Sequence, residues 1–427
     1  MQKWLDETLR RLNRTTDMNP ADGFSRLSYS PEEGEAHQAF REVVTELGLE
    51  VKQDEAGNQW AMWHVADGAQ AVGVGSHLDT VYNGGGYDGA AGVLTGLAAI
   101  KLMKDEGVVP TKNIAVICFA SEESARFGVS TIGSKAITGL LDQEDLADIP
   151  DREGQTIREV FESFGLDWDT ADQAYVPDEG LESFLELHIE QGTEIEDHQA
   201  EVGIVRGIAC PIRLKVTVRG MANHTGTTPM PKRQDALASI APLISYVEEE
   251  ALRRNEALEK RLVATVSTVA IGPNAMNVIP GEVELGIDIR SVNDEAKRQL
   301  AEDIRKRCGQ IAIDRNVQIE VETLVDNDSV ALDETMQKHL VDICESLSYE
   351  AIQMDSGAGH DVMNMAVRWP SGLIFIPCKE GISHHPAEYA SVADLEKGSR
   401  IIAEYLRQKT GDVHENQDRS HSTAGLP

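Results

Sequence analysis

Residues 71–103 read AVGVGSHLDTVYNGGGYDGAAGVLTGLAAIKLM. The opening six, 71–76, are apolar or small with no alternation, the pattern of a strand buried on both faces. His77-Leu-Asp79-Thr follows, then a Gly-rich loop at 83–86, and from about Asp88 a helix of small residues. That helix falls short of the ~18–20 uninterrupted apolar residues a membrane span needs, so it reads as a buried helix. Residues 113–120, NIAVICFA, repeat the continuous apolar texture. Such strands, separated by helices, predict an α/β fold with a mostly parallel sheet covered on both faces. Upstream, residues 1–70 read as mostly helical and then turn-rich. Ser30 is the expected N-cap of one helix, with Pro31 at its first position and Glu33 three residues on.

Downstream the texture changes at Ile212. RLKVTVR (213–219), VELGIDIR (283–290) and VQIEVE (317–322) alternate polar and apolar residues. Alternation gives strands with one wet face, hence an antiparallel sheet. Two helical patterns, 233–258 and 295–310, lie among them. The prediction is a discontinuous catalytic domain, 1–211 and 326–410, with a smaller α/β sandwich of antiparallel sheet plus two helices inserted at 212–325. Beyond 326 the chain returns to a helix, an apolar strand at 372–377 and a last helix at 391–409. The polar tail 411–427, with His414 and His421, has no core pattern and is expected to be disordered.

Composition narrows the partners. The net charge of −33 should repel nucleic acid and anionic membranes. Only 15 of the 39 basic residues are lysine, and a Glu/Asp-rich, Lys-poor surface fits a protein adapted to high salt, where self-repulsion is screened. The five cysteines are scattered, odd in number and free of any CxxC pair, which argues against both a disulfide framework and a thiolate metal site. The charged N-terminus has no apolar core of a signal peptide. A soluble, cytoplasmic protein is expected.

Four polar clusters sit at the ends of apolar strands or in Gly-rich loops. The first is Ser76-His77-Leu-Asp79 with Asp88. Residues two apart on a strand face the same side, so His77 can bind a metal while Asp79 takes its other ring nitrogen. Asp88, after three glycines, can approach closely enough to bridge two ions. The second cluster is Glu122-Glu123; adjacent acids in an extended stretch point opposite ways, so Glu123 can be a ligand and Glu122 a free general base. The third and fourth, His188-Ile-Glu190-Gln191-Gly and His384-His385-Pro-Ala-Glu388, supply further imidazoles. One histidine or one Glu-Glu pair would mean little, but four such clusters are hard to explain as surface decoration. Their nitrogen–oxygen mix suits zinc, manganese, cobalt or nickel rather than calcium or magnesium.

Taken together, GSHLDT with DG eight residues on, EE-x2-RF, HIEQG, GMANHTGTTPM, NVIPG, DIR, SGAGHD and GISHHPAE resemble the M20-type metallohydrolases. The branch they are most similar to holds the hydantoinase/carbamoylase amidases and allantoate amidohydrolases. The resemblance runs in order from about residue 70 to 395. It implies five ligands to two divalent ions (His77, Asp88, Glu123, His188 and His384), with Asp88 bridging, Glu122 as base and Asp79 as orienter. His384 matches the family's Ile-Ser-His, with His385 beside it as the alternative. His224 resembles a histidine that reaches the active site of a partner subunit to stabilise an oxyanion. Asn277 and Arg290 resemble a clamp on the substrate carboxylate, and Gln191, Gly357 and His360 resemble further substrate contacts. The chain departs from the family's Glu-Glu-Gly-Ser-Arg-Phe, having Glu122-Glu-Ser-Ala-Arg-Phe.

The resemblance implies a homodimer formed through the inserted domain. It also implies hydrolysis of a ureido or carbamoyl C–N bond in a small carboxylate: N-carbamoyl-L-amino acid going to amino acid, CO2 and ammonia. Allantoate and β-ureidopropionate are the alternatives. A dipeptidase or aminoacylase fits less well, because peptidases of the family usually carry an acid where this chain has His188. An inactive binding module would lack a ligand or the base, and here every position is filled.

Overall fold

The computed structural model describes residues 1–258 and 260–414. The chain begins with helices α1 (Gln2–Leu12) and α2 (Pro31–Glu46), then strands β1 (Glu50–Gln53), β2 (Gln59–Trp63) and β3 (Ala71–His77). Helix α3 (Ala90–Asp105) leads to β4 (Asn113–Phe119), β5 (Leu181–Ile189) and β6 (Val202–Ile208). Next come β7 (Pro211–Arg219), β8 (Asn223–His224), β9 (Leu262–Gly272), β10 (Val278–Ile279), β11 (Glu282–Ser291), β12 (Gln318–Asp326) and β13 (Val330–Ala331). The last strands are β14 (Ala351–Ser356) and β15 (Ser371–Ile376).

Two compact units result. The first comprises Met1–Arg206, Leu332–Met354 and the chain from His360; the second comprises Gly207–Ala331 and Asp355–Gly359. The boundaries expected at 211/212 and 325/326 fall a few residues inside the second unit. So does part of the SGAGHD loop, which the expected boundaries place in the first.

In the first unit the sheet order is β1-β2-β4-β3-β5-β15-β6. Its centre, β4-β3-β5-β15, is parallel, and the margins are antiparallel. Every residue of β3, β4 and β15 is buried, as their continuous apolar sequences require. Helix α3 is buried nearly all round, since 13 of its residues lie in the core against the sheet and its neighbouring helices. Because the central strands run the same way, their carboxyl ends lie along one edge. The loops after β3, β4, β5 and β15 therefore gather on that edge, where open α/β sheets place ligands.

Strands β1 and β2 occupy the stretch expected to be turn-rich. QWAMW is too short and too uniformly apolar to reveal itself alone. It forms because β2 pairs antiparallel with β4, Gln59 opposite Cys118 and Trp63 opposite Ile114.

The second unit holds an antiparallel sheet, order β12-β7-β11-β9, and the helices Ala236–Asn255 and Asp294–Arg315. Buried and less buried residues alternate along β11, and Val283, Leu285, Ile287 and Ile289 form the unit's core with Ile240, Leu243, Leu300 and Ile304. Of the tail, residues 415–427, with His421, lie outside the described residues; Val413 N–H donates to Val109 O (3.0 Å). No helix among the described residues is long and apolar enough to cross a membrane.

Candidate active site

His77 ends β3, and its Nδ1 lies 3.0 Å from the Asp79 carbonyl oxygen and 3.3 Å from Asp79 Oδ1. With Nδ1–H engaged there, Nε2 faces Asp88 Oδ1 at 3.4 Å. His188, near the end of β5, donates Nδ1–H to the Ile189 carbonyl (2.8 Å), which leaves its Nε2 an acceptor. That nitrogen receives Gly89 N–H (3.2 Å) and lies 3.1 Å from the same Asp88 oxygen. Gly89 has φ +62, and a Cβ there would fall 2.5 Å from the His77 ring, so the approach requires glycine.

Asp88 divides its carboxylate between two groups. Oδ1 meets His77 and His188, while Oδ2 lies 3.4 Å from His384 Nε2, which is also 3.4 Å from Glu123 Oε1. The donor atoms of His77, Asp88 and His188 lie within 4.8 Å of one another, as do those of Asp88, Glu123 and His384. Glu122 belongs to neither group. Its Oε2 stands 3.9 Å from His77 Nε2, and its side chain is almost wholly buried.

The reason Glu122 and Glu123 both reach the cluster differs from the sequence expectation. They do not alternate along an extended strand. Ser121 turns the chain with φ +54, and three successive amides are then fixed by buried carboxylates. Glu33 Oε1 accepts Ser121 N–H (3.0 Å), Asp79 Oδ1 accepts Glu122 N–H (3.0 Å) and Asp79 Oδ2 accepts Glu123 N–H (2.9 Å). Asp79 thus orients His77 and also shapes the loop that bears both acids. Glu33 was visible in sequence only as a capping residue, and its second oxygen accepts Tyr29 N–H rather than the amide of Ser30.

Burial pushes the Glu122 carboxyl well above the ordinary carboxylate range, although His77 pulls the other way. Burial raises Asp88 too, but His188, His384 and His77 outweigh it and hold that carboxyl well below its usual value. The carboxylates of Asp88 and Glu123, each 3.4 Å from its Nε2, raise His384 to about 11. The opposite shifts of Asp88 and His384 reflect close pairing of carboxylate and imidazole.

Gln191 and His360 join this site. Gln191 Nε2 donates to Asp88 Oδ2 (2.7 Å), and the His360 ring lies 4.5 Å from that of His188, centroid to centroid. The remaining expected residues lie in the second unit. His224 is exposed on β8 opposite Val278, and its Nδ1 accepts Gly226 N–H (3.0 Å). Thr225 N–H donates to the carbonyl of Asn277 (3.2 Å). Arg290 is engaged with Asp288 (Nε to Oδ1, 2.8 Å) and donates Nη1–H to the carbonyl of Gly357 (2.9 Å).

The donors fit a pair of divalent cations. Glu123 Oε1 is buried without a hydrogen-bond donor, and three imidazoles with two carboxylates form a set that N/O-binding transition metals and zinc accept.

The family model for peptidase family M20/M25/M40 matches residues 73–408. The chain is 38% identical over 384 residues to N-carbamoyl-L-amino acid amidohydrolase of Geobacillus stearothermophilus, covering 90% of this chain and 92% of that one. It is 34% identical over 405 residues to allantoate amidohydrolase of Escherichia coli K12, covering 95% and 97%. Its fold is similar to the crystal structure of a hydantoinase/carbamoylase family amidase from Burkholderia multivorans, with TM-score 0.86 and 29% identity over 96% of this chain and 98% of that one. A chain with this fold, this cluster and a match over most of its length belongs to peptidase family M20/M25/M40.

Proposed function

We propose that this protein is a two-cation amidohydrolase that cleaves the ureido or carbamoyl C–N bond of a small carboxylate, N-carbamoyl-L-amino acid first among them. The observation that carries the reading is the division of Asp88, one oxygen toward His77 and His188 and the other toward His384 beside Glu123. His77, Asp88 and His188 would hold one cation, and Asp88, Glu123 and His384 the other. Zinc is the first choice, and manganese, cobalt or nickel would suit the same donors. Bound there, the cations supply Lewis-acid polarisation of the scissile carbonyl and acidify the attacking water.

The chain's own residues do the rest. Glu122 takes a proton from the attacking water onto its carboxylate and returns it to the leaving nitrogen. Its burial favours the protonated carboxyl, which suits holding that proton between the two steps. Asp79 keeps His77 in one tautomer and fixes the amides on either side of the base. Gln191 and His360 would line the substrate on the first unit. Arg290 and Asn277 would bind the carboxylate, with Gly357 beside Arg290, and His224 would stabilise the oxyanion in the site of a partner subunit. With one water consumed, the carbamoyl substrate yields amino acid, CO2 and ammonia.

The first unit is then the catalytic domain and the second a dimerisation or lid domain. Strand β9 supports a homodimer: it is a sheet edge, and Val263 and Val269 on it are exposed. Light scattering at twice the 46.7 kDa chain mass would check the dimer. Five free cysteines support a reducing, cytoplasmic setting. Allantoate is the second reading, because the relative named for it matches this chain at almost the same identity. Metal-loaded protein is incubated with N-carbamoyl-L-amino acids, allantoate, β-ureidopropionate and dipeptides, and ammonia and amino acid are measured. Turnover of the carbamoyl amino acids is expected; cleavage of dipeptides alone would overturn the proposal.

A further inference from the structure

Glu388 is fully buried, and its carboxylate joins two loops that lie about 300 residues apart in sequence. Oε1 accepts the N–H groups of Tyr87 (3.0 Å) and Asp88 (2.9 Å). Oε2 accepts the Ser383 hydroxyl (3.0 Å) and the His384 N–H (3.3 Å). Of the four residues thus held, Asp88 and His384 belong to the donor groups. One belongs to both donor groups, and the other turns into the cluster on a left-handed backbone, φ +56, that a histidine rarely adopts.

We infer that Glu388 is a positioning residue: it sets Asp88 and His384 against each other and selects His384, not His385, as the imidazole of the second cation group. This rests on the two-cation reading above. His385 follows directly in sequence and is exposed like His384, but its Nδ1 accepts the Ala387 N–H (3.0 Å) and it belongs to neither donor group. The match to Ile-Ser-His favours His384 by resemblance and gives no physical reason for the choice. The difference lies in the amide before each: the His384 N–H is tied to the carboxylate that also holds Asp88. The fit is tight on the far side as well. A Cβ at Gly85 would lie 2.3 Å from the Glu388 Cβ and 2.4 Å from Oε1, so the Gly-rich loop admits this carboxylate only because position 85 has no side chain.

The inference predicts a specific defect in Glu388→Gln. A carboxylate offers acceptors to all four donors, whereas an amide must turn its NH2 toward one pair of them. Partners that orient ligands typically account for 10–100-fold in metal affinity. Cobalt(II) is titrated into metal-free wild type, E388Q, G85A and His385→Ala, following the visible absorption of the bound ion and the cobalt-to-protein ratio, with circular dichroism and thermal melting checking the fold. Wild type is expected to take two ions. E388Q should keep its fold, bind at least one ion about tenfold or more weakly, and show an altered spectrum. G85A, which displaces Glu388 without changing it, should reproduce that loss, and H385A should titrate as wild type. E388Q and G85A both binding two ions with wild-type affinity and spectrum would overturn the positioning role, as would H385A losing an ion in the manner of E388Q. Wild type taking fewer than two ions would instead overturn the two-cation reading, and this inference with it.

Discussion

At the scale of single residues, Glu122 is distinguished by what it does not do. Both glutamates are buried, but Glu123 faces His384, whereas Glu122 lies outside both donor groups, 3.9 Å from His77 Nε2. An acid so placed is free to carry a proton, and general acid–base catalysis is worth about 10²–10⁴-fold. Glu122→Gln should lower kcat by that order while both cations stay bound, checked by ammonia release beside metal analysis of the same sample. Undiminished turnover would remove Glu122 as the base. The donor residues were legible in sequence because each sits in a short polar cluster at the end of an apolar strand or in a glycine-containing loop. Glu33 and Glu388 were not legible as site residues. Their contacts lie 88 and about 300 residues away, so Glu33 reads in sequence only as a capping residue and Glu388 only as the end of the His384-His385-Pro-Ala-Glu388 cluster.

At the scale of elements, α2 carries more than its cap. Ser30 accepts the Glu33 N–H (3.2 Å), as its sequence predicts, and the helix then presents Glu33 and His37 to the interior. Burial, with Arg41 nearby, lowers His37 to about 3; its Nε2 lies 3.7 Å from Glu33 Oε1, and neither ring nitrogen has a hydrogen-bond partner. The sign follows from linkage. The unfolded chain binds a proton at His37 below about 6.5 and the folded chain does not until about 3, so this contribution to stability is complete above 6.5 and lost as pH falls toward 3. Each unit of that fall is worth about 1.4 kcal/mol for one proton. Denaturant unfolding at pH 7 and pH 5 should show His37→Leu losing less stability on acidification than wild type; equal losses would contradict it. The same scale shows where sequence reading stops. Continuous apolar strands such as β3 and β4 declared themselves, whereas β2 depends on its pairing with β4 across more than 50 residues. The turn at Ser121, which brings both glutamates inward, is held by Glu33 and Asp79, so no local pattern announces it.

At the scale of the whole molecule, the change from continuous to alternating strands accompanies the passage into the second unit, though that unit begins at Gly207, before the alternation starts. The charge of −33 bears on the entire surface and on no single site. If that surface is adapted to salt, screening its self-repulsion should raise the melting temperature between low and molar KCl; no rise would dismiss the adaptation and leave the chemistry untouched. The chemistry depends on Asp88 standing between two cations. Crystals of the metal-loaded protein, measured at the absorption edge of the metal, decide this directly. The account predicts two anomalous peaks, one among His77, Asp88 and His188 and one among Asp88, Glu123 and His384. A single peak, or peaks away from Asp88, would contradict it.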